Sequence, residues 1–155
     1  MKIIQTLLLI LMIGVSNSAY AQESKTAVGG YLSGISAKFT ISESSAIRTD
    51  LGLTLIDFTQ INFSANYMIY KTENSLGVES GMLTPYYAPG IRISYIDAGA
   101  NVDGDVSYGI EFPIGVEYGF EEAPFEVFID MGPYLDINPN QLFGFTGSIG
   151  FRYQL

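Results

Sequence analysis

The chain has no cysteine and no histidine. Without cysteine there is no disulfide framework and no thiolate metal site. Without histidine, the commonest general base and transition-metal ligand is missing. There is no tryptophan, and basic residues are scarce: seven against sixteen acidic ones, a net charge of −9. Such a chain repels nucleic-acid phosphates, so no nucleic-acid partner is expected. After residue 21 no apolar run approaches the ~20 residues of a spanning helix. If that part of the chain enters a membrane, it must enter as strands.

The longest apolar run is at the start. Met1-Lys2 is a short basic head, Ile3 to Val15 is apolar apart from Gln5 and Thr6, and Ala19-Tyr20-Ala21 has the small-residue spacing of a cleavage site. This predicts a secretory signal peptide over residues 1–21, cut before Gln22, with one domain over 22–155.

Strict alternation dominates the rest. From Phe143 to Leu155 the odd positions read Phe143, Phe145, Gly147, Ile149, Phe151, Tyr153, Leu155, and the even ones are small, polar or charged. A period of two predicts a strand with two unlike faces. Its thirteen residues exceed the ~9–11 that a tilted strand needs to cross the hydrocarbon. The same alternation marks Ile35 to Ile41, Ile47 to Leu55, Ile61 to Ile69, Leu83 to Tyr95, Tyr108 to Phe120 and Phe125 to Met131. Residues 27–41 read as two strands joined at Ser33-Gly34, which makes eight in all. Pro85 and Pro89 fall within the fifth and predict bulges or a late start to regular pairing, since proline donates no ladder bond. Lys71 to Ser80, Asp97 to Asp105 and Pro133 to Gln141 read as connections, Glu43 to Ser45 and Glu121 to Pro124 as tight turns, and Asp57-Phe58 as a short reversal. In the second half of the chain short turns alternate with longer loops, which suits a transmembrane barrel.

Alternation alone does not say which face is inside, because a soluble barrel of lipocalin type buries its apolar parity and a membrane barrel exposes it. The charges favour the second. Lys38, Arg48, Asp50, Arg92, Glu111, Glu117, Glu126, Asp130 and Arg152 all share the polar parity. Four are positive and five negative, a balance suited to pairing in a narrow interior. Aromatics gather toward strand ends on the apolar parity, at Tyr67, Tyr87, Tyr95, Tyr108, Tyr118, Phe120, Phe143 and Tyr153, as interfacial girdles would. The expected fold class is all-β: a closed antiparallel eight-stranded up-and-down transmembrane β-barrel.

Gly115-Val116-Glu117-Tyr118-Gly119-Phe120, Ala123-Pro124-Phe125-Glu126-Val127 with Asp130 and Pro133, and Gly147-Ser148-Ile149-Gly150-Phe151-Arg152-Tyr153 resemble the small outer-membrane β-barrels of Gram-negative bacteria, the OmpA/OmpX-like group within the porin families. Ser33-Gly34-Ile35 with Lys38-Phe39 is similar to that family's first hairpin. The resemblance implies a location in the bacterial outer membrane. It also implies an assembly signal at Phe151, Tyr153 and Leu155, read by the barrel-assembly machinery. Family members typically end on Phe, and here Leu155 stands instead. The implied partners are outer-membrane lipid, the assembly machinery and an extracellular protein reached through the loops, with the barrel a monomer.

No catalysis, cofactor or metal is expected. Glu111 with Glu117, and Glu126 with Asp130, share a face, but along one strand each pair is ~13–20 Å apart. Their expected role is to pair with Arg48, Arg92 and Arg152. Asp103-Gly104-Asp105 lacks the full ligand spacing of a calcium loop and reads as a solvated turn. Eight strands leave an interior that side chains fill, with Tyr86 and Phe128 pointing in. The reading is a structural or surface-interaction protein. The alternatives are a small-solute pore, or a soluble periplasmic barrel with an apolar ligand.

Overall fold

The structure is a computed structural model and describes residues 26–55, 59–97, 105–138 and 141–155. The expected leader, the reversal at Asp57-Phe58, and the Asp103-Gly104 part of the proposed turn lie outside the described residues. The strands are β1 (Thr26–Tyr31), β2 (Gly34–Ser42), β3 (Ser45–Leu55), β4 (Thr59–Tyr70), β5 (Leu76–Val78), β6 (Gly81–Tyr87), β7 (Gly90–Asp97), β8 (Asp105–Glu111), β9 (Ile114–Phe120), β10 (Phe125–Asn138) and β11 (Leu142–Gln154). Every pairing is antiparallel between sequence neighbours, apart from the closure of β11 on β1 and the couplings that treat β6–β7 and β8–β9 as units. Residues 27–41 form two strands turning at Leu32-Ser33, as expected from the sequence.

Two predicted strands are each split in two, at Ala88-Pro89 and at Phe112-Pro113. The split does not change register: Tyr87 pairs with Ile114 below the break and Gly90 with Glu111 above it. The two couples are therefore single staves, and the sheet is a closed ring of eight, with β11 meeting β1 from Ala27↔Gln154 to Tyr31↔Gly150.

Proline causes the splits. Tyr67 N–H donates to Pro89 O (2.9 Å), Ala88 N–H to Pro113 O (2.8 Å) and Phe112 N–H to Pro133 O (2.9 Å). In each pair the return bond is missing because proline has no N–H. Pro89, Pro113 and Pro133 thus form a seam at one level across four adjacent staves. At one point a side chain makes good the loss, with Asn66 Nδ2 donating to Ala88 O at 3.3 Å.

Two connections differ from expectation. Pro133 to Gln141 is not a loop, because β10 runs on to Asn138, paired with β8 and β11. Pro133 sits within the ladder because its carbonyl still accepts a bond and its neighbour across the seam is itself next to a proline. The alternation Met131, Pro133, Leu135, Ile137 continues outward, and Asp136 is carried inside. Lys71 to Ser80 holds a 3-10 turn at Thr72–Asn74 and then β5, which folds back on β6 from Leu76↔Leu83 to Val78↔Gly81.

The ends of the ring differ in their connections. The first strand starts and the last strand ends at one of them, where Leu155 N–H donates to Thr26 O at 2.7 Å. This terminal end also carries connections 43–44, 71–80 and 121–124; at the opposite, loop end the chain turns at 32–33 and the described strands end at Leu55, Asp97 and Asn138. The longest connection between staves is therefore at the terminal end, and the expected alternation of short turns with longer loops does not hold.

The apolar parity faces outward around the ring: Ile35 is 60% exposed, Ile129 53%, Phe145 72% and Phe151 57%. The charged parity faces inward. Arg48, Phe128, Tyr86, Glu126 and Arg152 are all at 2% exposure or less. The outward aromatics form two belts. Tyr95, Tyr108, Phe143 and Phe145 lie toward the loop end, and Tyr67, Phe120, Phe125 and Tyr153 toward the terminal end. Phe125 and Tyr153 meet edge to face at 5.2 Å, as do Phe143 and Phe145 at 5.5 Å.

Candidate functional site

The interior holds every charged residue singled out from the sequence and divides them into two clusters. The cluster nearer the terminal end contains Lys38 on β2, Glu117 on β9, Glu126 on β10 and Arg152 on β11. Adjacent staves place Glu126 opposite Arg152 in register. Lys38 Nζ bridges Glu117 (2.8 Å) and Glu126. Arg152 Nη1 donates to the same two carboxylates at 3.1 and 2.9 Å, and its Nε donates to Ser36 Oγ at 3.0 Å. Tyr70 OH donates to Glu117 at 3.1 Å, and Gln154 Nε2 to Glu126 at 3.3 Å. Two cations face two carboxylates, each touching both. Such a network supports burial of charge because every ion has two counter-ions, and Ser36, Tyr70 and Gln154 add hydrogen bonds to Arg152, Glu117 and Glu126. A small apolar cluster of Ala46, Met68, Tyr86 and Ala88, with Tyr70 against it, fills the section beside it.

Phe128 is the partition. Its ring stands 3.9 Å from the Arg152 guanidinium carbon and 5.6 Å from that of Arg48. It fits because Gly150 lies opposite: a Cβ there would stand 2.8 Å from the ring. The small residues of the inward parity therefore make room for the large ones in a ring only eight staves wide.

The cluster nearer the loop end is built around Arg48. Its Nη1 donates to Asp130 Oδ2 and to Tyr86 OH (3.2 Å), and its Nε lies 2.9 Å from Asp50 Oδ2 without hydrogen-bond alignment. Tyr86 OH donates to Asp130 Oδ2 at 2.7 Å and Ser148 Oγ to Asp130 Oδ1 at 2.8 Å. Arg92 lies 3.2 Å from Asp136 and 3.8 Å over the Tyr134 ring. Glu111 accepts a hydrogen bond from Asn66 Nδ2 at 2.7 Å and makes no ion pair with a described Lys or Arg. Above this cluster is a cavity of about 220 Å³, lined by Tyr31, Asp50, Asn62, Arg92, Glu111 and Thr146 among others.

Sequence reasoning missed Asp136, Asn66, Tyr70, Ser36 and Ser148. Asp136 was hidden by the reading of Pro133 as the start of a loop; the apolar alternation through Ile137 was the signal that could have found it. The hydroxyl and amide partners lie on the expected parity, but spacing along a strand does not say which of them meet across the ring.

The carboxylate couples are not brought together as acid–base pairs. Glu117 lies in the terminal-end cluster and Glu111 in the loop-end one, and Glu126 and Asp130 are divided in the same way. Among the described residues no group of three or more His, Cys, Asp or Glu side chains could hold a metal ion. Phe151, Tyr153 and Leu155 lie on the outer surface at 57%, 43% and 74% exposure.

No protein-family model and no curated protein sequence matches the chain. Among solved structures it is similar to the crystal structure of the N-terminal β-barrel domain of Pseudomonas aeruginosa OprF, with 13% identity and a TM-score of 0.65 over 88% of this chain and 100% of that one. The fold is a β-barrel. At that identity the likeness carries the fold alone.

Proposed function

We propose that the protein is an integral β-barrel of a bacterial outer membrane with a structural or surface-interaction role. One observation carries the reading: the apolar parity faces outward on all eight staves, while the ion pairs are inside. Exposed apolar surface on that scale has no place in water, and a lipid phase resolves it. The two aromatic belts and the fold likeness to an OprF β-barrel domain support the same placement. A soluble barrel with an apolar pocket needs the opposite facing. A pore needs an open path, and Arg48, Phe128, Tyr86 and Arg152 fill the section below the cavity.

The test is refolding with and without detergent micelles, followed by far-UV circular dichroism and heat-modifiable gel migration. A β-rich, heat-modifiable species formed only with detergent supports the reading. A β-rich monomer in plain buffer would overturn it.

A further inference from the structure

We propose that β7 and β8 form a hinged flap, which opens between β8 and β10 and gives the loop-end cavity a side mouth through the barrel wall. Two independent breaks in the ladders bound it. Below, the seam at Ala88-Pro89 and Phe112-Pro113 divides β7 from β6 and β8 from β9, and each proline leaves a carbonyl without its ladder donor. Pro133 carries the same loss onto β10. To the side, β8 meets β10 over a short ladder, from Glu111↔Tyr134 to Tyr108↔Asn138, and its register shifts between Asp136 and Asn138. The extra residue at such a shift disrupts the ladder locally.

The other edge is sound. β7 pairs with β4 without a break from Asn66↔Gly90 to Thr59↔Asp97. β7 and β8 are paired with each other from Gly90↔Glu111 to Ile96↔Asp105. The unit is therefore fixed along β4, where it hinges, and weakly held along β10.

The side chains repeat this contrast. Among the described residues no side-chain hydrogen bond or ion pair joins β8 to β10. One latch reaches β10 from β7: Arg92 lies 3.2 Å from Asp136, without hydrogen-bond alignment, and 3.8 Å over the Tyr134 ring. One clasp reaches across from β4, where Asn66 Nδ2 donates to Ala88 O at the seam and to Glu111 Oε1 above it. The matching joint in the terminal-end half is closed. There β9 and β10 pair from Gly119↔Glu126 to Ile114↔Met131, and Lys38 and Arg152 each bind both Glu117 and Glu126. A unit with few and poorly aligned tethers opens below the free energy of global unfolding. Arg92, Glu111 and Pro113 line the cavity, so movement of the flap widens it.

The test is amide hydrogen exchange of the refolded protein in detergent micelles, read residue by residue by NMR. In the parent, the β7 and β8 amides should exchange together, about tenfold or more faster than those of β3, β9 and β11. Arg92→Gln, which removes the latch, should speed β7–β8 exchange further and leave β2–β3 unchanged. Pro133→Val, which returns a donor to the seam, should slow it. Exchange of β7–β8 at the rate of the other staves, or an Arg92→Gln effect spread equally around the ring, would overturn the proposal. The comparison between staves needs no variant, so a variant that fails to fold leaves the test intact. The flap rests on ladder geometry and not on the surrounding solvent; heat-modifiable migration of the same sample reports the membrane-barrel reading separately.

Discussion

The two halves of the interior show two ways of burying charge. Toward the terminal end, Lys38, Arg152, Glu117 and Glu126 form a closed set in which each ion touches both of opposite sign. Toward the loop end, Asp50, Glu111, Asp130 and Asp136 share two arginines, and all of these carboxylates but Asp136 line a cavity of about 220 Å³. The first arrangement leaves no room and no net charge; the second leaves both. The difference follows from which side chains the staves deliver. Phe128, Met68 and Tyr86 fill the section beside and above the first cluster, while Asn62, Ser64 and Thr146 leave the second hollow. The same eight-stave ring thus holds a plug and a vestibule.

Substitutions can break this contrast. The largest effect is expected from Arg152→Ala, which leaves Glu117 and Glu126 with Lys38 alone. Removing one partner of a buried ion network costs about 3–5 kcal/mol, read as a lower urea midpoint in micelles. Ile149→Arg acts on the opposite face. It should cost about 2–4 kcal/mol near the bilayer midplane, with the loss larger in lipid vesicles than in detergent. If the variant folds into vesicles as well as the parent, the facing is wrong. Asn66→Leu removes the amide that serves both Ala88 O and Glu111, and should cost about 1–3 kcal/mol. The smallest effect sharpens the comparison most. Glu111→Gln keeps an acceptor for Asn66 and relieves part of the excess charge, so it should stabilise by about 1 kcal/mol or less. Glu126→Gln, in the balanced cluster, should destabilise. Equal signs for these two would mean that the halves do not differ as described.

Much of the ring was legible in the sequence. The alternation from Phe143 to Leu155 and from Ile61 to Ile69 predicts strands that are present, because a period of two has one structural meaning. The inward face of Lys38, Arg48 and Arg152 was legible from a different signal, the balance of their charges with the carboxylates of the same parity. Proline was read less well. Pro89 marks a true interruption, but Pro133, which by its pattern opens a loop, lies inside β10. The sequence could not show that Pro133 stands beside Phe112-Pro113 on the next stave, where the ladder is already broken. Nor could it show which charges meet. Glu126 finds Arg152 across one strand pair, while Lys38 finds Glu117 across the ring, and only closure brings those staves together.

The central claim is the facing of the two parities, and the absence of tryptophan makes it directly measurable. A single fluorophore introduced by Ile149→Trp or by Thr146→Trp can be compared in vesicles whose acyl chains carry bromine. The account predicts strong quenching for Ile149→Trp and little for Thr146→Trp, which should respond instead to a quencher dissolved in the water. Quenching by the brominated chains at Thr146→Trp, with none at Ile149→Trp, would contradict the facing and turn the barrel inside out.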